Sequence, residues 1–288
     1  MAVTIGVPRE TFPGERRVAL VPTMGNLHAG HLSLVLKARK HADVVITSIF
    51  VNPLQFAPHE DFLQYPRTLE RDCELLEDVG CDAVFAPEER DIYVEGQIVR
   101  VTPPTIADIL EGAARPGFFA GVCTVVLKLF TMVRPKVAVF GKKDYQQVLV
   151  VRQMARQLGL PLEIIVGEIV RDAQGVALSS RNSYLSAAEY AEAPRLSAVL
   201  RETACAARVE GADRLQLERL GRDRLAAHGW QPDYIAIRRQ SDLGEPSAAD
   251  PIADASGSYW TFLRAGVVVL RTWRSWTLPK LSEARRIA

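Results

Sequence analysis

Between Arg17 and Val166 the chain alternates short apolar runs with helix-length stretches, and few architectures satisfy that alternation. Arg17–Val21, Asp43–Phe50, Asp82–Phe85, Lys136–Phe140 and Leu162–Val166 read as strands. Asp43–Phe50 (DVVITSIF) is apolar almost throughout, as a strand covered on both faces must be. His28–His41, Thr68–Val79, Gly121–Val133 and Asp144–Gln157 instead space their apolar residues as helices do. In the first, Leu32, Val35 and Leu36 share one side; in the second, Leu69, Leu75, Leu76 and Val79 do. Strands alternating with helices of this length build parallel βαβ units, so an α/β fold is expected: a Rossmann-like parallel sheet with helices on both faces. Ligands of such sheets bind beyond the carboxyl ends of the strands, so chemistry is expected in the segments that follow them.

From about residue 186 the texture changes. Ser186–Arg208 and Asp213–His228 are helical stretches rich in Ala, Leu and Arg, and Asp233–Arg239 (DYIAIRR) alternates like a half-buried strand. Residues 1–185 are therefore expected to form the sheet domain and 186–288 a smaller α+β domain, with Ser247–Ser258 as a loop. Ala265–Leu270 has the apolar character to pair with Asp233–Arg239, and residues after about Trp276 are expected to be loosely held. A chain of 288 residues is long enough for both domains.

Charge and composition exclude several functions. Lys plus Arg number 35 and Asp plus Glu 34, so a phosphate-backbone partner gains little from net charge and no nucleic-acid role is expected. Runs such as Val44–Val51 fall short of the ~20 residues of a membrane span. Pro8, Arg9 and Glu10 interrupt the position of a signal peptide's apolar region. Cys73, Cys81, Cys123 and Cys205 show no CxxC spacing and read as reduced thiols of a cytoplasmic protein.

Four segments after strands carry polar chemistry. Pro22–Gly25 leads into His28-Ala-Gly-His31, two histidines on one face of a helix start, where a positive dipole end and backbone amides attract phosphate. Asn52 and Gln55 are uncharged donor–acceptor groups that suit a small hydroxy acid, although a polar turn around Pro53 would show the same residues. Gly141-Lys-Lys-Asp144 offers cations but lacks the spacing of a P-loop. Gly175-Val-Ala-Leu-Ser-Ser-Arg181 places hydroxyls beside an arginine able to fork onto phosphate oxygens, and an ordinary turn with an N-cap serine fits it as well. No GxGxxG, GxSxG or HExxH is present.

PTMGNLHAGH, SIFVNPLQF, YPRTLERD, VVLKLF, VRP, FGKKDYQQ and ALSSRNSYL together, from about Val21 to Leu243, resemble the pantothenate synthetase (pantoate–β-alanine ligase) family in order and spacing. The HxGH and Ser-Ser-Arg stretches are also similar to the two signatures of the wider nucleotidyltransferase group. The resemblance implies an AMP-forming ligation of pantoate and β-alanine through pantoyl adenylate, with ATP as substrate, Mg²⁺ on the phosphates, and a homodimeric enzyme whose second domain closes over the nucleotide. It implies an ATP site at Pro22, Thr23, Met24, Gly25, Asn26, Leu27, His28, Ala29, Gly30, His31, Gly141, Lys142, Lys143, Asp144, Val170, Leu178, Ser179, Ser180 and Arg181. His31, as general acid, with His28, Lys143 and Arg181 would be catalytic. Asn52, Gln55 and Gln147 would bind the small substrates, and Asp72 would be an outer-shell metal partner. Phe118 stands where the family often has histidine. Residues 1–21 resemble instead the opening of nicotinamide nucleotide transhydrogenase or alanine dehydrogenase, and the segment after about Gly244 is atypical. Two alternatives follow: a nucleotidyltransferase acting on another small acid, or a nicotinamide-nucleotide-binding protein.

Overall fold

The computed structural model describes residues 16–246 except 59, 95 and 210. Five parallel strands form one sheet in the order β3-β2-β1-β4-β5: β1 Val18–Thr23, β2 Val44–Ile49, β3 Ala83–Phe85, β4 Val137–Gly141 and β5 Glu163–Gly167. Each lies at an expected run. β1, expected to end before Pro22, continues through it. Pairing with β4 reaches only Ala19 and Leu20, so beyond Leu20 a residue without an N–H costs no bond on that side.

Alternate residues of the central strands feed two cores. Val18 and Leu20 of β1, with Ala138 and Phe140 of β4, pack against α5 (Phe118–Val133) and α6 (Tyr145–Gln157). Ala19, Val21, Val137 and Val139 pack on the other face against α1 (Ala29–Ala38) and α2 (Leu69–Asp78). Single-turn helices α3 (Glu89–Ile92) and α4 (Glu111–Ala114) lie in the long β3–α5 connection. The strand order reverses between β1 and β4. That is the switch point where a doubly wound sheet leaves a crevice at its carboxyl edge, and the His28–His31 and Gly141–Asp144 segments both follow these two strands.

The chain divides into two compact units. One runs up to Asp172 and includes Ala177–Ser183; the other comprises Ala173–Val176 and the residues from Tyr184 onward. The helices of the second unit among the described residues are α7 (Ala187–Glu192), α8 (Pro194–Ala206) and α9 (Arg214–Ala226). The stretch expected as one helix from Ser186 breaks before Pro194, which opens α8 as proline can. Val199, Leu200 and Ala204 of α8 close a small core with Leu225, Trp230 and Ile235. Asp233–Arg239, expected as a strand, has no strand partner among the described residues. Its apolar alternation buries Ile235 and Ile237, and the Ile237 N–H donates to Glu218 of α9 at 2.6 Å. The proposed partner strand at Ala265–Leu270, the loop at Ser247–Ser258 and the tail after Trp276 lie outside the described residues. The four cysteines are unpaired, and no described helix is long and apolar enough to cross a membrane.

Candidate active site

The loop after β1 turns on Gly25 (φ +80°) and Asn26 (φ +50°) and delivers His28 as the N-cap of α1. A Cβ on Gly25 would stand 3.1 Å from both the Asp72 carboxylate and Ile49, so left-handed geometry and close packing together call for glycine. Asp72 is fully buried. Its oxygens accept from the Asn26 and Leu27 amides, each at 2.8 Å, and from the Thr68 hydroxyl at 3.1 Å. Where an outer-shell metal role was expected, this carboxylate is engaged in shaping the loop after β1.

The helix start also differs from a row of open amides. The Gly30 N–H donates to His28 Nδ1 at 3.1 Å, and the His28 N–H to His31 Nδ1 at 3.4 Å. Backbone amides can only donate, so each ring accepts at Nδ1 and carries its proton on Nε2. Burial, reinforced by the Lys143 ammonium, lowers the pKa of His28 to about 4; burial, with His28 and Lys143 adding to it, lowers that of His31 to about 3. The two rings lie 4.1 Å apart between centroids. Both are neutral donors near pH 7. A resting general acid at His31, as the resemblance implies, would need a charge that this surrounding disfavours.

The post-β1 and Ser-Ser-Arg segments are tied together. Asn26 Nδ2 donates to the Ser180 carbonyl at 3.1 Å, and the Ser180 hydroxyl donates to the Asn26 carbonyl at 3.0 Å. The Leu178 amide donates to the Val170 carbonyl at 2.9 Å, which returns this loop to the sheet unit. Ser179 Oγ accepts from the Arg181 amide at 3.4 Å. After β4, Lys142 is held by Glu168 at 3.1 Å, whereas among the described residues Lys143 pairs only with the exposed Asp144, at 3.3 Å. Lys143 therefore keeps the more adaptable charge.

Of the small-substrate residues, Asn52 does not face outward. It is completely buried: Oδ1 accepts from the Leu54 amide at 3.2 Å and the Tyr93 hydroxyl at 2.6 Å, and Nδ2 donates to the Gly121 carbonyl and to Gln55 Oε1 at 2.8 Å. Two backbone partners fix which end of that amide is oxygen. Gln55 Oε1 is thereby occupied, and its Nε2 is the end left to donate. Gln147 is half-buried in the first turn of α6. Its neighbour Gln146 is buried and spent on the Glu111 amide and the Ile106 and Ile109 carbonyls, so the two adjacent glutamines separate into a structural and an available one. The sequence reading missed Tyr93, which anchors Asn52, and Asp61, which holds Arg181 through two contacts of 3.1 Å. The acidic Glu60-Asp61 pair beside Phe56, Phe62 and Leu63 was the available signal.

Fold and loops define the class: an α/β enzyme of nucleotidyltransferase type, with its candidate site at the sheet's switch point. The family model described as pantoate-beta-alanine ligase matches residues 7–267. A crystal structure of pantothenate synthetase from Thermus thermophilus is 46% identical, with a TM-score of 0.76, and covers 81% of this chain and 84% of its own. That of pantoate-beta-alanine ligase from Francisella tularensis, complexed with beta-gamma ATP and beta-alanine, is 38% identical, with a TM-score of 0.68, and covers 76% and 81%. This chain belongs to the pantoate–β-alanine ligase family. The match extends past Val21 and Leu243 at both ends, so of the stretch resembling a nicotinamide enzyme only residues 1–6 fall outside it.

Proposed function

We propose that this enzyme condenses pantoate with β-alanine at the expense of ATP, and that the loops after β1, β4 and β5 carry out the first half. A pantoate carboxylate oxygen attacks the α-phosphorus, the bond from that phosphorus to the β-bridging oxygen breaks, and pyrophosphate leaves. The β-alanine amine, having lost a proton, then attacks the acyl carbon of pantoyl adenylate, and AMP leaves as pantothenate forms. The observation that supports this most is the meeting of the HxGH, Lys143 and Ser-Ser-Arg segments around one switch point.

Charge accumulates on the β- and γ-phosphates as pyrophosphate departs. Nε2–H donors of His28 and His31, the Lys143 ammonium and the Arg181 guanidinium are the groups suited to offset it. Met24 to His31, Gly141 to Asp144, Val170 and Leu178 to Arg181 would line the nucleotide. Gln55 Nε2 would donate to oxygens of pantoate, and Gln147 would hold it from α6. No cluster of three or more His, Cys, Asp or Glu suited to a metal occurs among the described residues. A protein-built cage is therefore a poor fit, and magnesium would arrive on the phosphates with most of its waters, as it commonly does. We read the enzyme as a cytoplasmic homodimer on the strength of its family.

The test is to incubate the purified protein with ATP, Mg²⁺, D-pantoate and β-alanine. Pantothenate, AMP and pyrophosphate should form in equal amounts, and AMP only when pantoate is present. Turnover with another small acid but not pantoate would overturn the reading.

A further inference from the structure

We propose that Asp61 is a positioning residue that sets the Arg181 guanidinium in place for the triphosphate; this rests on the phosphate role of Arg181 given above. Arg181 belongs to a single 3-10 turn, Ser180–Tyr184, so its backbone gives only a short lever to a long side chain. An unrestrained arginine would surrender rotamer freedom each time phosphate bound. Asp61 removes that freedom in advance. Its side chain is only 4% exposed, and its two oxygens accept from Nε and Nη2, both at 3.1 Å. Because the guanidinium is planar, gripping one edge fixes the direction of every other N–H. The Phe56 and Tyr65 rings flank the group, with centroids 5.9 and 5.5 Å from its central carbon.

Asp61 is itself held from the other side. The adjacent Glu60 accepts from Arg115 at 3.2 and 2.6 Å, and Arg115 also donates to the Gln55 carbonyl at 3.0 Å. The Asp61 carbonyl accepts from the Gln64 amide at 3.0 Å. An ion pair buried on its carboxylate side is costly to break from one end, since the charge left behind is neither solvated nor paired. Asp61 therefore keeps its grip while phosphate is bound, and acts by preorganisation rather than by competing for the arginine.

Asp61→Asn, Asp61→Glu, Arg181→Lys and the double variant Asp61→Asn/Arg181→Lys test this. Asp61→Asn should lower kcat/KM for ATP about tenfold to a hundredfold, in the range for a misplaced charge stabiliser. The β-alanine KM should stay within about twofold, because no phosphate takes part in that recognition. The double variant should be no worse than Arg181→Lys alone. If Asp61→Asn does not fold, Asp61→Glu, which keeps the charge, should show the same ATP-selective loss in milder form. Additive losses in the double variant would overturn the proposal. So would unchanged ATP kinetics, or a rise in every KM together with a lowered thermal midpoint. If Arg181→Lys alone handles ATP like wild type, the phosphate role of Arg181 fails, and the positioning role with it. If Arg181→Lys is crippled and Asp61→Asn is not, only the positioning role fails.

Discussion

Two histidines that cap their own helix leave one useful proton each, on Nε2, and pH exposes the consequence. With pKa values near 4 and 3, neither ring gains charge between pH 5.5 and 8 in the free enzyme. The pH profile of kcat/KM should therefore lack an acid limb near 6.5; such a limb, lost in a His31 variant, would mean that a protonated His31 works in catalysis. Stability carries the same signature. Unfolded histidine binds a proton below about 6.5 and the folded rings do not, so both lower the stability of the fold as pH falls from there towards their folded pKa values. His31→Gln should therefore lose less stability than wild type between pH 7 and 5 in urea titrations. The same substitution should slow pantoate-dependent exchange of pyrophosphate into ATP by about a hundredfold to a thousandfold. Gly30 guards this arrangement. A Cβ there would stand 2.7 Å from the His28 ring, so Gly30→Ala should displace that cap and weaken ATP binding without disturbing the sheet.

At the scale of elements, α5 locates the Pro53–Gln55 turn, the candidate small-substrate loop, by contact rather than by charge. A Cβ on Gly121 would fall 2.1 Å from the Leu54 carbonyl oxygen. Gly121→Ala should push Pro53–Gln55 away, raise the pantoate KM well above wild type, and destabilise the fold by about 1–3 kcal/mol in denaturant titrations. An unchanged pantoate KM would show that the loop's position does not matter to that substrate. Asp72→Ala should strand the Asn26 and Leu27 amides at a comparable cost and impair ATP before β-alanine. These elements were largely legible in the sequence, because strands buried on both faces must be apolar and helices of one buried stripe must be periodic. What escaped was pairing across sequence distance. Asp61 meets Arg181, Tyr93 meets Asn52 and Asp72 meets the Gly25 turn only after folding, and periodicity holds no trace of such meetings. That is why the hydrogen bonds that hold Asn52 and Asp72 could not be read from their surroundings in sequence. Among the described residues, the alternation of Asp233–Arg239 buries Ile235 and Ile237, Ile235 against α8 and α9.

For the whole molecule, the order β3-β2-β1-β4-β5 brings two distant stretches of sequence to one edge, and the chemistry follows from that meeting. The loop after β1 and the loop after β4 are separated by more than a third of the chain, yet their strands are neighbours. The candidate phosphate donors thus come from one half of the fold and from the other, while Gln55 follows β2 on the same carboxyl edge. Such a site is suited to activating a carboxylate by adenylation, and the fate of one oxygen atom tests that. With pantoate labelled with ¹⁸O in its carboxylate, together with ATP and β-alanine, mass spectrometry should find one ¹⁸O in each AMP and one retained in each pantothenate. Unlabelled AMP, or label in inorganic phosphate accompanied by ADP, would contradict the account.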